Sequence, residues 1–263
     1  MKHCRKDADE PECLAKFRAD NPAADWEKDF RSTARGCYET LRATLRQSQT
    51  GLCAYCETRV VPADRKPPNE QIAHFHPKSD QSTAHNWALD WDNLWLACLG
   101  GTRWTDRTGA DVGIPYDIPA NLSCDEATRD EVLDGKVLKP DEIPPFPRLF
   151  RYRQWSNRLD IEPDTAACRD AGVPVWRVEI TIEKLNLNCP RLSSARLKLH
   201  SELVQARKKL KGSGLDPLPQ LRRLAERLLA PDQNGHRRSF FTVARWSLGE
   251  AAEGYLKSAN FDG

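Results

Sequence analysis

Apolar residues recur at helical spacing over several stretches of the chain. In residues 33–49, Tyr38, Leu41 and Leu45 share one face, which predicts a helix that Gly51 ends. Trp26 and Phe30, four apart, predict a shared helix face within an otherwise irregular entry over residues 1–30. From Arg191, Leu192, Leu199, Leu203, Ala206 and Leu210 fall on one face up to Gly212. After a Gly-Ser-Gly turn, Leu218, Leu221, Ala225 and Leu228 do the same, which predicts a helical hairpin. The stretch from Phe240 to Leu256 predicts one more helix.

Between these stretches the pattern changes. Residues 52–61 and 71–76 read as two short strands, joined by a proline-bearing loop from Asp64 to Asn69. Asp90 to Leu99 is apolar and aromatic and reads as buried; residues 100–123 read as loop. Residues 140–165 carry five prolines and read as an extended, loop-rich section laid on the core. In 174–183, Val175, Val178, Ile180 and Ile182 alternate imperfectly, leaving strand and helix both open. No internal repeat is visible.

A chain of 263 residues is long enough for one large or two small domains. Eight Trp, eight Phe and five Tyr supply core bulk despite a mean hydropathy of -0.68. No apolar run approaches the roughly 18–20 residues of a membrane helix. The opening Met1-Lys2-His3-Cys4-Arg5-Lys6-Asp7 has no apolar core of a secretory signal, so a cytoplasmic protein with no membrane association is expected. The net charge of +2 is unevenly spread: residues 191–229 hold ten Lys/Arg and three Asp/Glu. That segment is either a solvated helical face or a surface for phosphates or an acidic partner.

Nine cysteines in a chain read as cytoplasmic do not suggest a disulfide framework. Cys53-Ala-Tyr-Cys56 is a C-x2-C knuckle that can present two thiolates to one ion. Cys98 and Cys124 would complete a Cys4 zinc site; the alternative is a redox pair at Cys53 and Cys56 with Cys98 a core thiol. Cys4, Cys13, Cys37, Cys168 and Cys189 lack ligand spacing and read as core or surface thiols.

Between the cysteine pairs lie Gln71-Ile-Ala-His-Phe-His-Pro-Lys-Ser79 and Leu89-Asp-Trp-Asp-Asn-Leu94. A histidine on a short strand, an Asn-Leu and a cysteine at a helix start, in that order, resemble the HNH endonuclease superfamily and its ββα-metal hairpin. His3-Cys-Arg-Lys6, Gln49 to Glu57, His74-Phe with Pro77-Lys-Ser79, Leu89-Asp-Trp with Asn93-Leu94, and Thr181 to Asn188 with Leu192 and Arg196 resemble the HNH nucleases of Septu (PtuB) and retron anti-phage systems. The similarity spans residues 3–196.

The residue patterns and the resemblance together lead to an α+β, mainly helical fold: a ββα-metal hairpin, which the resemblance implies, with a Cys4 zinc site, plus a C-terminal helical hairpin. Together they divide the chain into an N-terminal helical segment (1–50), a nuclease core with loop-rich extension (51–190) and a basic C-terminal helical region (191–263). The resemblance implies a metal-dependent endonuclease of DNA or RNA, with His74 as general base and Asn93 orienting His74 or holding the loop. Structural zinc and catalytic Mg²⁺ or Mn²⁺ are the expected ions. Lys78 is either a phosphate contact or a solvated lysine, Glu57 reads as structural and His85 as a loop histidine. The implied partners are an ABC/SMC-type ATPase (PtuA-like), possibly joined by a retron reverse transcriptase and its msDNA, and a nucleic acid substrate.

The chain departs from the family pattern at Ala73, where a carboxylate is usual before the histidine. Asp125 is the candidate oxygen ligand that remains. A deliberate substitution, replacement of the ligand by His76 on the same strand face, or a naturally inactive member would each explain the alanine. The expected result is a weak nuclease; the competing reading is a non-catalytic, zinc-stapled nucleic-acid-binding or scaffolding subunit.

Overall fold

The computed structural model describes residues 1–6, 9–62, 68–103, 119–211 and 217–263. Its elements run α1 (Glu12–Asp20), a π-helical turn Trp26–Phe30 continuing into α2 (Arg31–Thr33), α3 (Arg35–Ser48), β1 (Gln71–His74), a 3₁₀ turn Trp91–Asn93, β2 (Leu94–Ala97), α4 (Asp125–Thr128), β3 (Phe150–Gln154), β4 (Leu159–Pro163), α5 (Thr165–Asp170), α6 (Val175–Lys184), α7 (Pro190–Lys211), α8 (Pro217–Leu229), α9 (Phe241–Leu248) and α10 (Glu250–Ser258). Among the described residues the fold is mixed α and β with two small antiparallel sheets, β1–β2 and β3–β4.

Helix α3 forms where Tyr38, Leu41 and Leu45 predict it, with Leu41 and Leu45 fully buried. Trp26 and Phe30 do share a face, their rings 4.9 Å apart. The strand expected at 52–61 is corrected: only an isolated bridge, Leu52 to Arg59, forms there. The partner of β1 is instead Leu94–Ala97, with Ile72 opposite Leu96 and His74 opposite Leu94. All four β2 residues are buried, so this strand carries no polar alternation. The proline-rich section contains the β3–β4 hairpin, and residues 175–184 are helix. Phe240 to Leu256 holds two helices, broken at Gly249, whose φ of 55° ends the first.

The C-terminal hairpin forms as α7 and α8; the expected stop at Gly212 and the Gly-Ser-Gly turn lie outside the described residues. So do parts of the expected loops at 64–69 and 100–123. Leu203, Leu224, Ala225 and Leu228 of this hairpin join Phe241, Ala244, Ala252 and Leu256 in one apolar cluster. A larger cluster surrounds β1 and β2 and contains the four knuckle-site cysteines.

Cys13 and Cys37 form a disulfide between α1 and α3, which corrects their reading as thiols. Their Cα atoms, 5.7 Å apart, stand within bridging reach because the two helices pack against one another. The other seven cysteines are free and buried. Among the described residues no helix is long and apolar enough to cross a membrane.

Candidate functional site

Cys53, Cys56, Cys98 and Cys124 converge, their sulfurs all within 4.8 Å of one another. Cys53 to Cys124 is 3.9 Å, Cys56 to Cys98 3.6 Å and Cys98 to Cys124 3.9 Å. A tetrahedron of thiolates at the zinc–sulfur distance of about 2.3 Å has edges of about 3.8 Å, so these four could hold a metal ion such as zinc. Burial pushes Cys53 well up, against the hydrogen bond with Cys124 that lowers it. Hydrogen bonds from Cys124, Cys53 and Cys98 pull Cys56 down. Four buried thiols compete to ionise, and a cation is what would favour four thiolates.

Backbone and amide contacts assemble the quartet from distant segments. Gln49 takes both sides of the Leu96 peptide: its Nε2 donates to the Leu96 carbonyl at 2.8 Å and its Oε1 accepts from the Leu96 N–H at 2.7 Å. The Ala54 N–H adds a bond to the same carbonyl, tying the knuckle to β2. Gly100 lies where a Cβ would meet the Ser123 carbonyl at 2.4 Å, so only glycine allows Cys98 and Cys124 to approach. Cys124 itself sits at φ 59°, held by its N–H to Leu185 O at 2.9 Å. Asn186 donates to Ala120 O and Leu122 O just before it. The Thr181–Asn188 signature therefore anchors the last metal-ligand candidate.

His74 ends β1 and is half-buried beneath the edge of Trp26, ring centroids 4.6 Å apart. Its Nε2 is 3.1 Å from Ala88 O. A carbonyl only accepts, so Nε2 carries the proton and Nδ1 keeps the lone pair. Burial, and then Lys78, lower His74 to about 3, which holds it neutral near pH 7.

The Asn93 side chain makes its hydrogen bonds to the loop and not to His74. Its Oδ1 accepts from His76 N at 2.6 Å, and its Nδ2 donates to His76 O at 2.9 Å and Trp87 O at 2.8 Å. The loop closed in this way delivers the Ala88 carbonyl to His74. Arg18, bonded to Leu89 O, and Asn86, bonded to Pro22 O and Ala24 O, brace it from the N-terminal segment.

A cavity of about 430 Å³ is lined by His74, Lys78, Gln71, Asp125, Glu126 and Asp130, among others. The Gln71 amide bridges Asp125 and Glu126, 3.1 Å from each. Burial, then Glu126, raise Asp125 to about 7. Such a carboxylate gains from a nearby cation, and the oxygen donors of this wall suit a hard divalent ion. Lys78 stands at the cavity with its Nζ 2.8 Å from Glu27.

His76 is placed elsewhere. β1 stops at His74, so the alternation that would put His76 on its face does not continue. Its Nδ1 and Nε2 each lie 2.7 Å from a carboxylate, Asp134 and Asp80, and its ring stacks on Trp87. It is absent from the cavity lining that contains Asp125. His85 pairs with Asp90 at 2.9 Å in the exposed loop. Glu57 accepts from the Thr242 N–H and hydroxyl, joining the knuckle to α9. Gln71 and Glu126 were not legible from spacing; their juxtaposition depends on the strand meeting α4.

No protein-family model matches the chain. A curated Escherichia coli protein named "Retron Ec83 putative HNH endonuclease" is 35% identical over 218 residues, which cover 76% of this chain and 79% of that protein. At that identity and coverage, with the histidine, asparagine and cysteine motifs in place, the chain belongs to the HNH endonuclease family of retron defence systems.

Proposed function

We propose that the protein is a metal-dependent endonuclease that hydrolyses nucleic acid phosphodiester bonds within an anti-phage system. The observation that carries this reading is His74: Nε2 is held by Ala88 O, and Nδ1 keeps a lone pair beside a carboxylate-walled cavity. In the proposed reaction Nδ1 accepts a proton from water as the oxygen attacks phosphorus; the phosphorus bond to the opposite sugar oxygen breaks, and that oxygen leaves as the hydroxyl after taking a proton from solvent. Asp125 and Glu126 would hold Mg²⁺ or Mn²⁺, which when bound neutralises charge growing on the phosphate. Lys78, now paired with Glu27, would meet a non-bridging phosphate oxygen once it leaves that carboxylate. The Cys4 quartet would hold zinc and support the fold, having no open coordination position. The ATPase and reverse-transcriptase partners belong to the same proposal, through the family resemblance alone.

The alanine at position 73 favours a second reading, a binding subunit without catalysis. Plasmid DNA and RNA incubated with the protein and Mg²⁺ or Mn²⁺ separate the two. Cleavage lost in His74→Ala supports the nuclease. Binding without cleavage, unchanged by His74→Ala, supports the binding subunit.

A further inference from the structure

Most of the protein's partly buried arginines are matched by acids: Arg42 and Arg46 by Glu70, Arg245 by Glu253, Arg177 by Glu142. The α7–α8 hairpin departs from this. Lys208, Lys209, Arg222, Arg223 and Arg227 are exposed and have no carboxylate partner among the described residues. Lys209, Arg223 and Arg227 rim a groove of about 450 Å³ between the two helices, and Ala206, Leu210 and Leu224 contribute its aliphatic lining. Among the described residues, no carboxylate and no aromatic ring lines it. The described acids of these helices, Glu202 and Glu226, both lie outside the lining.

We infer that the α7–α8 groove is a docking site for an acidic, amphipathic helix of a partner protein. Three cations around an aliphatic floor match a helix whose apolar stripe is flanked by Glu or Asp. The alternative occupant, a nucleic acid strand, would find charge for its phosphates but, among the described lining residues, no ring on which a base could stack. Helix α8 has 13 residues and is therefore about 20 Å long, which a partner helix of about 12–16 residues would follow. This inference stands apart from the nuclease reading, because none of its residues lines the His74 cavity.

The test is selection of displayed random peptides of about 16 residues on the full-length protein at roughly physiological salt. Two variants serve as comparisons: the triple Lys209→Glu, Arg223→Glu, Arg227→Glu, and Ala206→Trp, which fills the groove without changing its charge. Melting temperature and bound zinc check that each variant is folded. The expected result is enrichment of peptides with Glu or Asp flanking apolar residues at helical spacing. Synthetic copies should bind both variants roughly tenfold or more weakly. A labelled single strand and a labelled duplex of about 20 nucleotides are titrated in parallel. The inference is overturned if acidic helical peptides are not enriched, or if either variant binds the enriched peptides as well as the parent. It is likewise overturned if the triple variant loses oligonucleotide binding while peptide binding is unchanged.

Discussion

The Nε2 of His74 lies 3.1 Å from the carbonyl oxygen of Ala88, and this pairing decides which ring nitrogen is free. With the proton fixed on Nε2, the basic lone pair is on Nδ1. His74→Ala is therefore expected to abolish metal-dependent cleavage while leaving the melting temperature within a few degrees. Gel assays on the folded variant check this; residual cleavage at the parent rate would assign the base elsewhere.

The lowered pKa of His74 also gives stability a sign with pH. The unfolded histidine binds its proton near 6.5 and the folded one near 3. Between these values the unfolded state holds more protons, so stability falls as pH falls, by up to about 1.4 kcal/mol per pH unit from this group. Urea unfolding at pH 7 and pH 5 should show a smaller drop for His74→Asn than for the parent. Equal drops would mean the ring is not neutral in the folded protein.

Asn93→Ala removes an amide that satisfies three backbone groups of the His76–Trp87 loop. The Ala88 carbonyl should then wander, and a misplacement of about 1 Å can cost on the order of 10²-fold in rate. The expected variant is folded, retains its zinc, and cleaves on the order of 10–100-fold more slowly through kcat. A change confined to KM would place Asn93 against substrate.

One tightly bound zinc per chain is expected from the Cys53, Cys56, Cys98 and Cys124 quartet. Cys98→Ser or Cys124→Ser should lose it and much of the soluble yield, whereas Cys168→Ala should keep it. Elemental analysis decides; well-folded parent protein without zinc refutes the assignment.

Ala73 is fully buried opposite Trp95 and shares its strand face with Gln71, whose amide reaches Asp125 and Glu126. A carboxylate at 73 would extend along that face. Ala73→Glu should raise cleavage and, without added metal, lower stability by about 1–3 kcal/mol for the buried polar group. Lower stability with unchanged cleavage would give this position a packing role alone.

How far these features could be read from the chain depended on how local their cause is. The knuckle and α3 follow from spacing within one segment. The α7–α8 hairpin does too, because Leu203 and Leu228 keep helical steps. β2 was hidden because Leu94-Trp-Leu-Ala97 is buried on both faces and shows no alternation. The Cys13–Cys37 bridge, separated by 24 residues, leaves no spacing signal; it depends on how α1 crosses α3. His76 looked equivalent to His74 only as long as the strand was taken to continue. Gln71 and Glu126 meet across 55 residues, which no local pattern encodes.

The tie between Glu57 and Thr242 sets a clock for synthesis. The two are 185 residues apart, and a ribosome adding about 5–20 residues per second needs roughly 10–40 s to go from one to the other. Cys53 precedes Cys124 by 71 residues, a wait of roughly 4–14 s at the same speed. On a nascent chain, then, the first two thiolates are exposed for seconds before their partners emerge. The knuckle carboxylate gains its α9 donors only once Thr242 has been added. A ribosome stalled between Cys124 and Thr242 therefore carries all four cysteines and a knuckle that still lacks its tie to α9.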